Sequence, residues 1–233
     1  MKIDQDLCVH CQTCVPYCPV GAIGVEDGVR IDQEFCVECG ACLKAGVCPT
    51  DALFQPELEW PRVLRSQFSD PLVSHPSTGI KGRGTAEIKT NDVTGRILRG
   101  EVGFAIEVGR PGISASFADV EKVAVALAGK VEFEPHNPVS ALLDMKTGRF
   151  KSPEVRIERV LSAIIECKTT EEEGLEILRI LQKVSREIDT VFSLGVVSRC
   201  IGGKIPFKAL MEAAGYSPLI NGKLNLGLGR PLA

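Results

Sequence analysis

Eight of the ten cysteines in this 233-residue chain fall within its first 48 residues, and their spacing repeats. KIDQDLCVHCQTCV, from Lys2 to Val15, returns as RIDQEFCVECGACL, from Arg30 to Leu43, displaced by 28 residues. The first copy runs Cys8, Cys11, Cys14 and then Cys18 before Pro19; the second runs Cys36, Cys39, Cys42 and then Cys48 before Pro49. Met1 to Asp6 is polar and leads straight into the first motif, which does not read as a signal peptide. Without an export signal, dense C-x-x-C spacing points to metal binding rather than to a disulfide framework, and to a cytoplasmic protein.

The spacing also selects the metal group. Zinc sites close at four ligands, typically from two C-x-x-C knuckles, and eight cysteines with following prolines fit that poorly. Three cysteines at i, i+3 and i+6 wrap three corners of one iron–sulfur cube, and the fourth lies too far along the chain to cap the same cube comfortably. In this motif it ligates the other cluster. Cys8, Cys11, Cys14 and Cys48 are therefore expected on cluster I, and Cys36, Cys39, Cys42 and Cys18 on cluster II, both of the [4Fe–4S] type. Pro19 and Pro49 fix φ after the remote ligands. Tyr17 and Phe35 read as apolar cover. His10 reads as a solvent-facing loop residue whose ring N–H tunes a cluster, not as a ligand.

Residues 2–54 resemble the two-cluster bacterial ferredoxins, and the doubled motif carries the resemblance. It implies electron transfer at low potential, of the order of −400 mV. The departure is the five-residue spacing between Cys42 and Cys48, where the common form has three; the extra residues are expected to bulge as a loop over Leu43–Val47.

Charge is unevenly shared. Residues 1–54 hold three basic side chains against eight acidic ones, a balance of −5 in a chain of net charge −3, which leaves +2 for the remainder. An acidic head suits a basic patch on a redox partner, a larger oxidoreductase, and argues against nucleic acid. No apolar run approaches the roughly 20 residues that span a bilayer.

Residues 55–80 contain several prolines and no sustained period, which predicts a linker or extended arm, with Trp60 stapling it to a neighbouring domain. The stretch Lys81–Gly103 mixes glycine with Lys81, Arg83, Lys89, Arg96 and Arg99, a composition that suits a phosphate or carboxylate. A solvated loop with hairpin turns is the plainer alternative, since neither a Walker A loop nor a dinucleotide fingerprint is present.

The rest reads as a second domain over 81–215, with 216–233 as an arm. EVGFAIEV alternates, placing Val102, Phe104, Ile106 and Val108 on one face of a strand. Ser116 with Asp119 at N3 predicts a helix start, and Gly129 its end. Thr170 with Glu173 predicts a second helix, with Ile177, Ile180, Leu181, Val184 and Ile188 on one face. Val131–Glu134, Val160–Lys168 and Thr190–Cys200 complete a βαβ–βαβ order, which predicts an α+β chain: a two-cluster ferredoxin head followed by a larger ferredoxin-like α/β sandwich. Cys167 and Cys200 read as packed thiols ending strands, Glu107 and Arg110 as a surface salt bridge, and His136 as an inert turn residue. No catalytic set stands out.

KGRGTAEIKTNDVTGR, EVGFAIEVGRPG, FADVEKVAVALA and VEFEPHNPV are similar to parts of 6-hydroxynicotinate reductase, over roughly residues 65–200. That resemblance implies an anaerobic iron–sulfur system with a flavin. This chain shows no flavin motif, so the flavin is assigned to a partner and the chain to electron delivery. The alternatives are a reductase with its own active site in the second domain, or a redox-sensing regulatory protein.

Overall fold

The computed structural model describes residues 1–85 and 95–219. The head is built from four two-residue strands: β1 (Lys2–Ile3), β2 (Ile23–Gly24), β3 (Arg30–Ile31) and β4 (Leu53–Phe54). β1 pairs antiparallel with β4, and β2 with β3. Between them Met1, Ala22, Ile23, Val29 and Leu53 form a small core together with Cys14, Cys36 and Cys42. Few apolar side chains are available here, so a metal-bound frame would supply the missing cohesion.

Helix α1 (Ala41–Lys44) carries Cys42, and Gly46 turns the chain back at a φ of +62°. The five residues between Cys42 and Cys48 thus continue the helix and turn, where a loop bulge was expected.

The 55–80 segment departs further from expectation. Val63–Ser69 forms helix α2, with Leu64 and Phe68 buried in the main core and Arg65 buried beside them. Trp60 donates its indole N–H to Glu154 Oε1 at 3.0 Å, the staple the sequence suggested. One i,i+4 apolar pair is too weak a period to announce a helix among prolines; tertiary cover creates it.

The remaining chain folds around one sheet. Its elements are β5 (Glu101–Val108), β6 (Ala115–Ser116), α3 (Phe117–Leu127), β7 (Glu132–Phe133), α4 (Pro138–Leu142), the β8 (Leu143–Asp144) and β9 (Arg149–Phe150) hairpin, β10 (Arg159–Val160), β11 (Ala163–Thr170), α5 (Glu171–Val184), β12 (Phe192–Ser198) and α6 (Pro206–Ala213). Four strands pair in the order β12–β5–β11–β7, every neighbour antiparallel. The unit β5–α3–β7 therefore brackets β11, and β11–α5–β12 brackets β5. The content is mixed α+β.

Local chemistry sets the helix starts. Ser116 Oγ accepts the Asp119 N–H at 3.1 Å and donates to Asp119 Oδ2 at 2.8 Å. Thr170 Oγ1 accepts the Glu173 N–H at 3.2 Å. Val102, Phe104, Ile106 and Val108 are fully buried and share one core with Val120, Val123, Leu127, Ile177 and Leu181. Cys167 lies within β11 and is buried, and burial pushes its thiol well up. Cys200 is exposed beyond β12, which corrects its expected packing. Helix α6 lies near the end of the 81–215 region: Phe207 meets Gly174 of α5 and crosses Phe104 edge-on at 6.1 Å. Residues 220–233, most of the expected C-terminal arm, lie outside the described residues. No helix among the described residues is long and apolar enough to cross a membrane.

Two positions make sharp tests of this packing. Gly148 sits at φ +71°, and a Cβ there would lie 2.5 Å from the backbone carbonyl of Ala124 in α3. Left-handed strain and overpacking together put the cost of Gly148→Ala at about 3 kcal/mol, read as a fall in unfolding free energy in denaturant; a loss below about 1 kcal/mol would mean that α3 moves aside. His75 packs edge-on against Phe68 at 4.4 Å, and its Nε2 has no partner among the described residues. Burial pushes the imidazole from 6.5 down to about 4. The unfolded chain then binds the proton first, so stability is complete above pH 6.5 and falls as pH drops toward 4. The loss is about 3 kcal/mol at most. His75→Phe should flatten stability against pH in that window; an unchanged acid limb would assign the dependence to carboxylates instead.

Candidate metal centre

The eight head thiols separate into two groups. Cys8, Cys11, Cys14 and Cys48 line one hollow, with Val9, Thr13, Val29, Thr50 and Leu53 around them. Burial raises the Cys14 thiol, and Cys11, Cys48 and Cys8 raise it further by mutual repulsion. In the second group burial raises Cys42 to about 11, with Cys39, Cys36 and Cys18 adding to it. Each remote cysteine thus lies with the three thiols of the other copy.

Backbone geometry repeats along with the sequence. His10 and Gln12 in the first copy have φ of +54° and +62°; Glu38 and Gly40 at the matching places have +55° and +68°. Left-handed residues at alternate positions curl each loop, as in the backbone concavities that hold anionic groups. The Ala22 N–H donates to Cys18 Sγ at 3.1 Å, and the Ala52 N–H to Cys48 Sγ at 3.2 Å. Amides aimed at a sulfur favour its thiolate form. For Cys48, burial pushes upward, but the amides of Thr50 and Ala52 hold the thiol below its ordinary value. No three His, Cys, Asp or Glu side chains among the described residues could hold a single metal ion. Thiols standing round a hollow, with amides turned toward them, suit a polynuclear iron–sulfur group, whose sulfurs accept such hydrogen bonds.

The two copies differ in their surroundings. In the second, Glu38 is buried and receives the Met1 ammonium, Gln55 Nε2 at 3.1 Å and Arg62 Nε at 2.8 Å. Burial alone would raise this carboxyl; the ammonium, the amide and the guanidinium hold it below its ordinary value. Arg65 Nη1 donates to the carbonyls of Gln33 at 3.0 Å, Glu34 at 2.9 Å and Cys36 at 2.7 Å, while its Nε pairs with Glu158 of the sheet region. In the first copy His10 is exposed, and its Nδ1 accepts the Val29 N–H at 3.0 Å. A neutral ring then carries its proton on Nε2. Nδ1, 3.8 Å from Cys8 Sγ, then has no proton to give, and the ring N–H lies on the opposite nitrogen. Tyr17 and Phe35 are 46% and 49% exposed, so they are poorer covers than their apolar rings suggested. Phe35 instead lies 5.2 Å beneath the Arg159 guanidinium.

Arg62 and Arg65 were not anticipated as part of this site. Their only signal is two cations four residues or fewer from apolar residues at helical spacing, which is common.

Among the described residues, the cations of the basic stretch meet separate carboxylates or lie exposed. Arg83 pairs with Glu107 at 3.2 Å and Arg96 with Glu134 at 3.5 Å, while Lys81 and Arg99 are exposed. Lys89 lies outside the described residues. Glu107 also meets Arg110 at 3.0 Å and Ser193 at 3.3 Å; burial pushes its carboxyl up, and Arg83, Arg110 and Ser193 outweigh it and hold it low. His136 is exposed in its turn.

Residues 1–24, which contain Cys8, Cys11, Cys14 and Cys18, match the 4Fe-4S binding domain family. No curated protein matches the chain. The N-terminal segment is thus an iron–sulfur segment of the [4Fe–4S] class, carried by an α+β chain.

Proposed function

We propose that this chain transfers single electrons at low potential through two [4Fe–4S] clusters, one held by Cys8, Cys11, Cys14 and Cys48 and the other by Cys36, Cys39, Cys42 and Cys18. It serves as a ferredoxin-like protein or as the electron-transfer subunit of a larger oxidoreductase. One observation carries this reading: the thiols fall into two crossed groups of four, with an amide on each remote sulfur. Such clusters exchange one electron without moving atoms. The protein's contribution is to wrap them, limit water and set their potential. The antiparallel order β12–β5–β11–β7, with α3 and α5 packed together, supports a ferredoxin-like sandwich for the second part.

The test is iron and sulfide analysis with EPR on protein purified without oxygen, followed by redox titration. About eight iron atoms per chain and two reducible signals near the ferredoxin range are expected. Four irons would leave a single cluster and overturn the assignment of the second group. A flavin retained by the isolated chain would make it an enzyme in its own right.

A further inference from the structure

We propose that electrons pass between this chain and its partner through the first cysteine copy, and that the partner is a redox protein presenting an apolar centre within a basic rim. This rests on the two-cluster reading above. The repeat provides an internal control. Val9 and Val37 occupy the same place in the two copies, yet Val9 is 62% exposed and Val37 only 1%. Position by position, Cys8 is half-buried against a buried Cys36 and Cys11 is exposed against a half-buried Cys39, while Cys14 and Cys42 are both buried.

The chain itself covers the second copy. Arg65 binds its loop carbonyls and Arg62 binds Glu38 and Gln33; beside Cys18, the first-copy thiol grouped with Cys36, Cys39 and Cys42, the Gly112 N–H donates to the Pro19 carbonyl at 2.5 Å. A sequence repeat builds two similar faces, and this chain closes only one of them. The face left open at Leu7, Val9 and Cys11 is where a cluster would come closest to solvent.

Charge states what docks there. Asp6 stands two residues before Cys8. Glu26 and Asp27 sit at the tip of the β2–β3 hairpin, whose Gly28 lies against the His10 ring. All three side chains are exposed and none of their carboxylates is in an ion pair among the described residues; the Arg30 Nε at the same tip donates to the Asp27 backbone carbonyl at 3.3 Å instead. Unpaired carboxylates round an apolar centre steer a basic protein toward that centre and then exclude water from it. The exchange is a single electron: the reduced chain loses it, the partner's oxidised centre gains it, and no bond or proton changes hands.

A basic cytochrome c is a suitable probe. Its zinc-substituted form, which accepts no electron in the dark, reads binding by calorimetry; its ferric form reads transfer by stopped flow. The triple variant Asp6→Asn, Glu26→Gln, Asp27→Asn is compared with Glu172→Gln, Glu176→Gln, Glu212→Gln, which removes the same charge from helices of the sheet region. The head triple should lose about tenfold in both affinity and transfer rate at low salt, and the control less than twofold. Equal losses in both triples would reduce the effect to net charge, and an unaffected head triple would move docking elsewhere; either overturns the proposal. Iron content and EPR of the same samples test the cluster reading separately. A parent with too little iron defeats that reading, while the zinc-protein titration still decides the face.

Discussion

A Cys14→Ser variant prepared without oxygen should hold about half the iron of the parent and lose one of two EPR signals. A serine hydroxyl stays protonated at neutral pH, so it replaces a thiolate ligand poorly, and Cys14 is buried where water cannot complete the site. Cys48→Ser should remove the same signal, although it lies in the other copy. Cys18→Ser should remove the other one. These three variants together test the crossing of the remote ligands. Should Cys48→Ser spare the signal lost in Cys14→Ser, each copy would hold its own cluster and the crossed assignment would fall. The loss should also destabilise the head, because its core is little more than Met1, Ala22, Ile23, Val29 and Leu53 around the thiols. Far-UV dichroism in denaturant separates that unfolding from the sheet region's.

How much of this could be read from the chain depends on how local the cause is. The β5 strand is plain because alternation at Val102, Phe104, Ile106 and Val108 is a property of eight consecutive residues. The starts of α3 and α5 are plain because Ser116–Asp119 and Thr170–Glu173 are complete capping pairs within one turn. Helix α2 is not, since Leu64 and Phe68 acquire their meaning only from the core they enter. Helix α6 leaves a fainter trace, Pro206 at its start and Phe207, Leu210 and Met211 at helical spacing, which its glycine-rich surroundings obscure. The site divides the same way. Thiol spacing is written in the sequence. The difference between the two copies is not, because Val9 and Val37 are the same residue in the same phrase, and their exposures are set by contacts from far along the chain.

The farthest-reaching of those contacts is Arg65, and Arg65→Met should lower stability by about 3–5 kcal/mol. The residue is 6% exposed and joins two distant stretches of chain: Glu158 lies 93 residues away, and Cys36 lies 29 away in the opposite direction. Removing the guanidinium leaves the Glu158 carboxylate buried without its cation and three loop carbonyls without their shared donor, and desolvated groups of this kind are costly. Arg65→Lys keeps the charge but not the planar fork, so it can serve the carboxylate or the carbonyls and not both; about half the loss should remain. Arg65→Met with Glu158→Leu removes the stranded charge, so the double variant should be more stable than Arg65→Met alone. Denaturant unfolding followed by far-UV dichroism, with cluster absorbance recorded on the same samples, measures all three. A brace between the two parts requires both signals to shift together. If cluster absorbance moved while the sheet signal held, Arg65 would serve the second cysteine loop alone, and Glu158 would have to be satisfied by water entering from the interface.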